Sequence, residues 1–292
     1  MSRTARVLCD GLYFGEGPRW RDGRLWFSDF FARAVKSVSP KGDVRVEFEI
    51  DDAPSGLGWA PDGSMLIVAM SSRRVLKRSP AGDMSVHADL SSVAGFYCND
   101  MVVDSTGRAY VGNFGFDLHR ELETRGEADV VANHPTAKLA RISPEGVIDV
   151  AVLDLHFPNG TVITPDGKTL IVAESLAAAL TAFDVGPDGA LSGRRLWAPL
   201  GSRVPDGIAL DSAGAIWVAN AFAPECARIA PGGEVLETIA TSQNCFACML
   251  GGDDGKTLFM MTAPTSLPEI AAAAPNGRVE IATVEAPHAG LP

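Results

Sequence analysis

Four residues scattered along the chain, Glu16, Asn99, Asn159 and Asp206, carry side chains that suit one shared role. All four present hard oxygen donors, and two of them are carboxylates. Oxygens of this kind, brought to a common point and completed by water, suit a hard divalent cation. Without a cation, Glu16 and Asp206 would be like charges in a poorly solvated place, and at least one carboxyl pKa would rise. Asn-Gly and Asp-Gly pairs also favour turns. Turn chemistry does not account for all four, because Asn99 is followed by Asp100 and Glu16 opens Glu16-Gly17-Pro18.

The reason to expect convergence is a repeat. Six short turns end in Gly23, Gly63, Gly107, Gly167, Gly214 and Gly255, separated by 40, 44, 60, 47 and 41 residues. Each is followed by an apolar run, such as Leu25-Trp26-Phe27 or Leu170-Ile171-Val172. Paired β-rich runs around a Gly turn read as hairpins. A second mark follows every time, Pro two residues before Gly: Pro40/Gly42, Pro80/Gly82, Pro144/Gly146, Pro187/Gly189, Pro231/Gly233 and Pro275/Gly277. Two turns and four strands per unit predict an all-β, six-bladed β-propeller with four antiparallel strands in each blade. It would fill residues 1–292 as one domain, its ring closed by pairing of the chain termini. Either Arg6-Val7-Leu8 or Val279-Glu280-Ile281 would complete the last blade.

Aligned on the first strand of each unit, the residues entering it are Glu16, Ser55, Asn99, Asn159, Asp206 and Ala247. Sixfold symmetry would ring these side chains around one level of the central channel. The third unit is longer than the rest. Its extra material, from about 114 to 137, reads as a functional lid or mobile loop.

Bulk properties narrow the function. The net charge of −11 argues against a nucleic-acid partner, which needs a basic footprint. No apolar run is long enough to span a membrane, and Met1 to Asp10 has no signal-peptide core. Five irregularly spaced cysteines make a poor disulfide framework, so a reduced cytoplasmic location is the expectation. Cys245-x-x-Cys248 lacks a second pair and reads as structural. There is no Gly-x-Ser-x-Gly elbow and no phosphate or dinucleotide loop.

With Gly15-Glu16-Gly17-Pro18 and Trp20, Asn99-Asp100, Asn159-Gly160 with Pro165-Asp166-Gly167, and Pro205-Asp206-Gly207, the chain resembles the senescence marker protein/gluconolactonase/luciferin-regenerating enzyme family over nearly its whole length. The resemblance implies a six-bladed propeller hydrolysing cyclic esters. It implies that Glu16, Asn159 and Asp206 bind one divalent metal, calcium foremost, with zinc, manganese or magnesium as alternatives. Asn99 would be a further ligand or a substrate contact. One position departs. Members acting on sugar lactones carry Arg two residues before the Asn of the second motif, where this chain has Tyr97. Phe14, Phe96, Phe157 and Phe246 lie on loops at the same mouth, and Phe30, Phe31, Phe114, Phe116 and Phe222 at the ends of second strands. Together they account for most of the thirteen phenylalanines. The expectation is an apolar-walled pocket for a small molecule less polar than a sugar lactone, with Tyr97, Asn99, Phe14, Phe96, Phe114, Phe157, Phe222 and Phe246 touching it.

In that reading Asp206 is the general base for water and Asn99 orients the carbonyl or the water. Asp29, Asn113, Glu174 and Asn220, at the ends of second strands, either support the ligands or line the pocket. His119 and His134 in the insertion stay open as a dyad, and His156 lies near the mouth. Two other readings compete: a phosphotriesterase-like or aryl-ester hydrolase on the same metal, and a non-catalytic propeller stapled by structural calcium.

Overall fold

A computed structural model describes residues 3–292 as six four-stranded antiparallel sheets arranged around an axis. Their innermost strands are Gly15–Arg21, Pro54–Trp59, Cys98–Val103, Pro158–Ile163, Pro205–Leu210 and Asn244–Gly251. They touch one another in that order, and the sixth returns to the first. Burial falls from axis to rim. In the second blade Met65–Ala69 is buried throughout, whereas the outermost strand Met84–Asp89 is largely exposed. The hydrophobic cores lie between neighbouring blades. Val162 and Ile171 of the fourth, for example, pack with Ile208 and Ile216 of the fifth. Each sheet thus covers a face that it could not bury alone.

The N-terminal segment closes the ring. Arg6–Leu12 pairs antiparallel with Gly277–Thr283 as the outermost strand of blade six. Arg3–Thr4 then adds, in parallel, to the outer edge of blade five beside Val235–Ala240. This corrects one reading of the repeat. In blade six Pro275/Gly277 does not join the third and fourth strands; it precedes the third, because the fourth comes from the other end of the chain.

The pairing slips at one place in all six blades. The first hairpin loses register between Glu16 and Arg19, Pro54 and Leu57, Cys98 and Met101, Pro158 and Thr161, Pro205 and Ile208, and Cys245 and Ala247. A bulge re-aims the residues at it, and the aligned positions sit there: Ser55, Asn99, Asn159 and Asp206 lie inside the bulges, while Glu16 and Ala247 are the paired residues at their edges. Gly160 therefore lies inside a strand, not in a turn. A Cβ there would sit 2.5 Å from Asp206 O and 2.6 Å from Ile208 N. Close approach of neighbouring inner strands, rather than turn chemistry, requires the glycine.

The insertion of blade three is helical. Helix α1 spans Leu118–Arg125, with Asp117 accepting from Arg120 N at its start, and helix α2 spans Glu127–Ala132. Val130 is buried with Phe116 and Phe157, and Leu118, Leu122 and Leu176 pack around them. His134 Nδ1 lies 3.0 Å from Val130 O and donates to it, so that in the neutral ring Nε2 is the acceptor. His156 Nδ1, 2.9 Å from that Nε2, supplies the proton. So His134 pairs with His156 of the loop entering blade four, not with His119, and ties the insertion to that loop.

Candidate functional site

At one end of the axis lies a cavity of about 850 Å³. Glu16, Ser55, Asn99, Asn159 and Asp206 all face it, joined by Ser175. Ala247, the sixth aligned position, is buried and does not. The inner-strand bulges thus bring the four oxygen-donor residues to one cavity from blades one, three, four and five. Glu16, Asn99 and Asn159 are buried, and Asp206 is half-buried.

The electrostatics follow from the crowding. Burial, then Asp206, then Asp100 push the Glu16 carboxyl well above the usual range. Burial and then Asp100 do the same to Asp206, against a hydrogen bond from Asn159. Asn99 gives its Nδ2 to Pro158 O at 3.0 Å, and its Oδ1 is buried with no hydrogen-bond partner. Gly112 makes room for that oxygen, since a Cβ at 112 would lie 2.5 Å from it. A buried orphan acceptor beside two carboxylates disfavoured as anions is a donor set short of a cation, so the residues fit a divalent metal. Among the described residues no three His, Cys, Asp or Glu side chains come together as metal ligands. A cation here would rest on two carboxylates and two amides.

Two residues that the sequence reading passed over support this floor. Ser175 Oγ donates to Pro205 O at 2.6 Å and accepts from Asn159 Nδ2 at 3.4 Å, fixing Asn159 against the strand that carries Asp206. Arg19 is buried, with Nε donating to Leu57 O at 2.8 Å and a terminal nitrogen 2.9 Å from Asp100 Oδ1. Its signal was present in the repeat: the equivalent residues Gly58, Val102, Val162, Ala209 and Leu250 are all uncharged.

The residues at the ends of the second strands are braces, not lining. Asp29 accepts from Tyr13 N, Phe14 N and Lys36 Nζ. Glu174 accepts from His156 N and Asn220 from Val204 N, while Asn113 donates to Lys138 O and accepts from Gly115 N. Asp29, Glu174 and Asn220 each pin the loop that leads into the first strand of their own blade.

The wall mixes aromatic with polar side chains, the latter including Arg33, Asp51, Asp52, Ser71 and Ser72. Phe14, Tyr97, Phe114, Phe157, Phe222 and Phe246 line the cavity, with Phe30 and Phe31. Phe96 does not; it stacks on Tyr97 at 4.2 Å between ring centroids. Phe116 also lies outside the lining, in the core under α2. His119 on α1 faces the cavity, and burial lowers its pKa. His134 and His156 do not face it. Cys226, Cys245 and Cys248 are buried in the core shared by blades five and six, and Cys248 Sγ donates to Trp217 O. No helix among the described residues is long and apolar enough to cross a membrane.

Residues 14–264 match the SMP-30/Gluconolactonase/LRE-like region family. The chain is 26% identical over 270 residues to pentonolactonase XacC of Haloferax volcanii, covering 89% of this chain and 85% of that protein. It is 25% identical over 295 residues to a gluconolactonase of Zymomonas mobilis, covering 89% and 79%. The crystal structure of regucalcin from Agrobacterium tumefaciens, described as a calcium-binding protein, shares the fold with a TM-score of 0.80 at 20% identity, covering 100% of this chain and 97% of that one. With six blades, a common bulge level and a match over most of its length, the chain belongs to the SMP-30/gluconolactonase/LRE-like family.

Proposed function

We propose that this protein is a divalent-metal-dependent hydrolase that opens a lactone less polar than a sugar lactone. The observation that carries the reading is the floor of the cavity: two carboxylates raised in pKa beside an amide oxygen with no partner. The pentonolactonase and gluconolactonase relatives support ester-ring hydrolysis. Glu16, Asn99, Asn159 and Asp206 would hold the cation, and the all-oxygen donor set favours calcium over zinc. Bound there, the cation would polarise the ester carbonyl and stabilise the charge developing on its oxygen.

The chain's own residues supply the rest. Asp206 takes the proton of the attacking water as its oxygen bonds to the carbonyl carbon. The ring C–O bond then breaks, and Asp206 returns the proton to the departing oxygen, which leaves as the hydroxyl of a hydroxy acid. Asn99, held through Pro158 O, keeps its amide aimed into the site. Tyr97 and the phenylalanines exclude water and offer few partners to a polyhydroxylated ring. The apolar preference rests on these walls and on Tyr97 standing where an arginine would grip sugar hydroxyls.

The test is pH-stat hydrolysis of γ- and δ-lactones, aryl esters and organophosphates by chelator-stripped protein, with calcium, zinc, manganese or magnesium returned one at a time. Cation-dependent ring opening is expected, with alkyl lactones preferred over gluconolactone. Organophosphate or aryl-ester turnover without lactone turnover would replace the reading, and inertness with every cation would leave a binding propeller. A stable, cation-loaded Asp206→Asn variant of undiminished activity would remove Asp206 as the base.

A further inference from the structure

We infer that the substrate ring carries a linear alkyl or aryl-alkyl substituent that lies along helices α1 and α2. This rests on the lactonase reading above and adds to it what the insertion is for. The cavity, at about 850 Å³, is near the upper end of sites that enclose drug-sized ligands. A bare five- or six-membered lactone at the floor would leave most of it unfilled. One side of the cavity is formed by Leu118 and Leu122 of α1, Val131 of α2 and Leu176 of blade four, with Phe114 and Phe157 beside them. Leu118 and Leu122 are four residues apart and share a helix face. Only His119 and Glu127 add polar lining from the two helices.

The lining contributed by blades one and two includes the polar side chains of Arg33, Asp51, Asp52, Ser71 and Ser72, so an apolar chain is directed to the helices instead. Asp52 faces the cavity, but its carboxylate already accepts from Ala53 N, Ser71 N and Ser72 N at 2.7, 3.1 and 2.8 Å. At the mouth, Val131 and Phe222 line the cavity yet remain 46% and 52% exposed. Apolar side chains facing both a cavity and water form an edge that an apolar chain would cover. Along the helices a polar substituent would exchange water for Leu118, Leu122, Val131 and Leu176, with only His119 and Glu127 of α1 and α2 to bond it.

The experiment uses full-length, calcium-loaded protein and a series of δ-lactones running from the unsubstituted ring to the nonyl-substituted one. kcat/KM is expected to rise about four-fold per methylene over the first several carbons. Val131→Glu changes a half-exposed position that the fold tolerates, and Leu122→Asn tests the deeper wall. Each should cut the ratio of long-chain to short-chain kcat/KM by about ten-fold or more. Thermal shifts with the matching δ-lactams, which resist hydrolysis, read binding alone. If all lactones are inert while the lactam shift still grows with chain length, the hydrolase reading falls and the apolar channel stands. Lactone turnover independent of chain length, or a lactam shift flat along the series, overturns the channel.

Discussion

Arg19 and Asp100 meet at 2.9 Å, both buried, linking the innermost strands of blades one and three one residue past the candidate ligand Asn99. The guanidinium also donates to Leu57 O and Pro18 O, so it spans blade two as well. It is a buried positive charge close to the Glu16 carboxyl, and it moderates the upward shift of that group. Arg19→Met would leave Asp100 buried and unpaired. The expected loss is about 3–5 kcal/mol in urea unfolding. The double variant Arg19→Met/Asp100→Asn should recover part of it. Equal stability of the single variant and the parent would show that the pair is not needed.

Glu16 and Asp206 give the chelator-treated protein a distinctive pH dependence. Both folded pKa values lie above their unfolded ones. The folded state therefore holds extra protons between the two values. Their stabilising contribution is complete below the unfolded carboxyl pKa and is lost as pH rises through the folded pKa. Without a cation, Tm should fall on going from mildly acid to neutral buffer. On the proposed function, calcium would compete for the same oxygens, so its stabilising effect should be large at neutral pH and vanish in acid. At a hundred times its dissociation constant the gain would be about 2.7 kcal/mol. Differential scanning calorimetry with and without calcium across pH reads both, and a calcium effect independent of pH would contradict the assignment.

Ser175 faces the cavity and also braces Asn159. Ser175→Ala removes the hydroxyl between Asn159 Nδ2 and Pro205 O. Calcium affinity by isothermal titration should drop about 10–100-fold, while kcat at saturating calcium changes little. A lowered kcat with unchanged affinity would assign Ser175 to the chemistry instead.

Tyr97 sets the polarity of the wall. Tyr97→Arg introduces a fork of donors on the same loop, beside Phe114. The ratio of kcat/KM for an alkyl δ-lactone to that for gluconolactone should fall at least about ten-fold. A ratio that does not move would show that selectivity comes from the phenylalanines and the insertion alone.

The fold was readable because its marks are local. A turn glycine and the apolar run after it need only their own hairpin. The level of Glu16, Asn99, Asn159 and Asp206 was readable for the same reason, as one register repeated around the ring. What stayed hidden depends on residues meeting across blades. The partner of Gly277–Thr283 comes from residues 6–12, so the Pro275/Gly277 mark pointed to the wrong strand pair. Ser175 follows Glu174, which the sequence offered as a support or a lining residue, and only the folded strand ends show that Ser175 faces the cavity while Glu174 braces the loop before it. His134 finds His156 because α1 and α2 fold back over blade four, which sequence spacing does not reveal.

The closure of the sixth blade also dictates the order of events at the ribosome. Residues 6–12 emerge long before 277–283 and remain without their antiparallel partner until those have been made. The wheel is therefore sealed only once its last blade has been synthesised, by a pairing that spans nearly the whole chain, a slow and entropically demanding step. A nascent chain stalled before that point would hold Glu16, Asn99, Asn159 and Asp206, the candidate ligands, on an open arc. Deleting residues 1–12 should leave the finished protein in a comparable condition, prone to pair its bare edge with another copy.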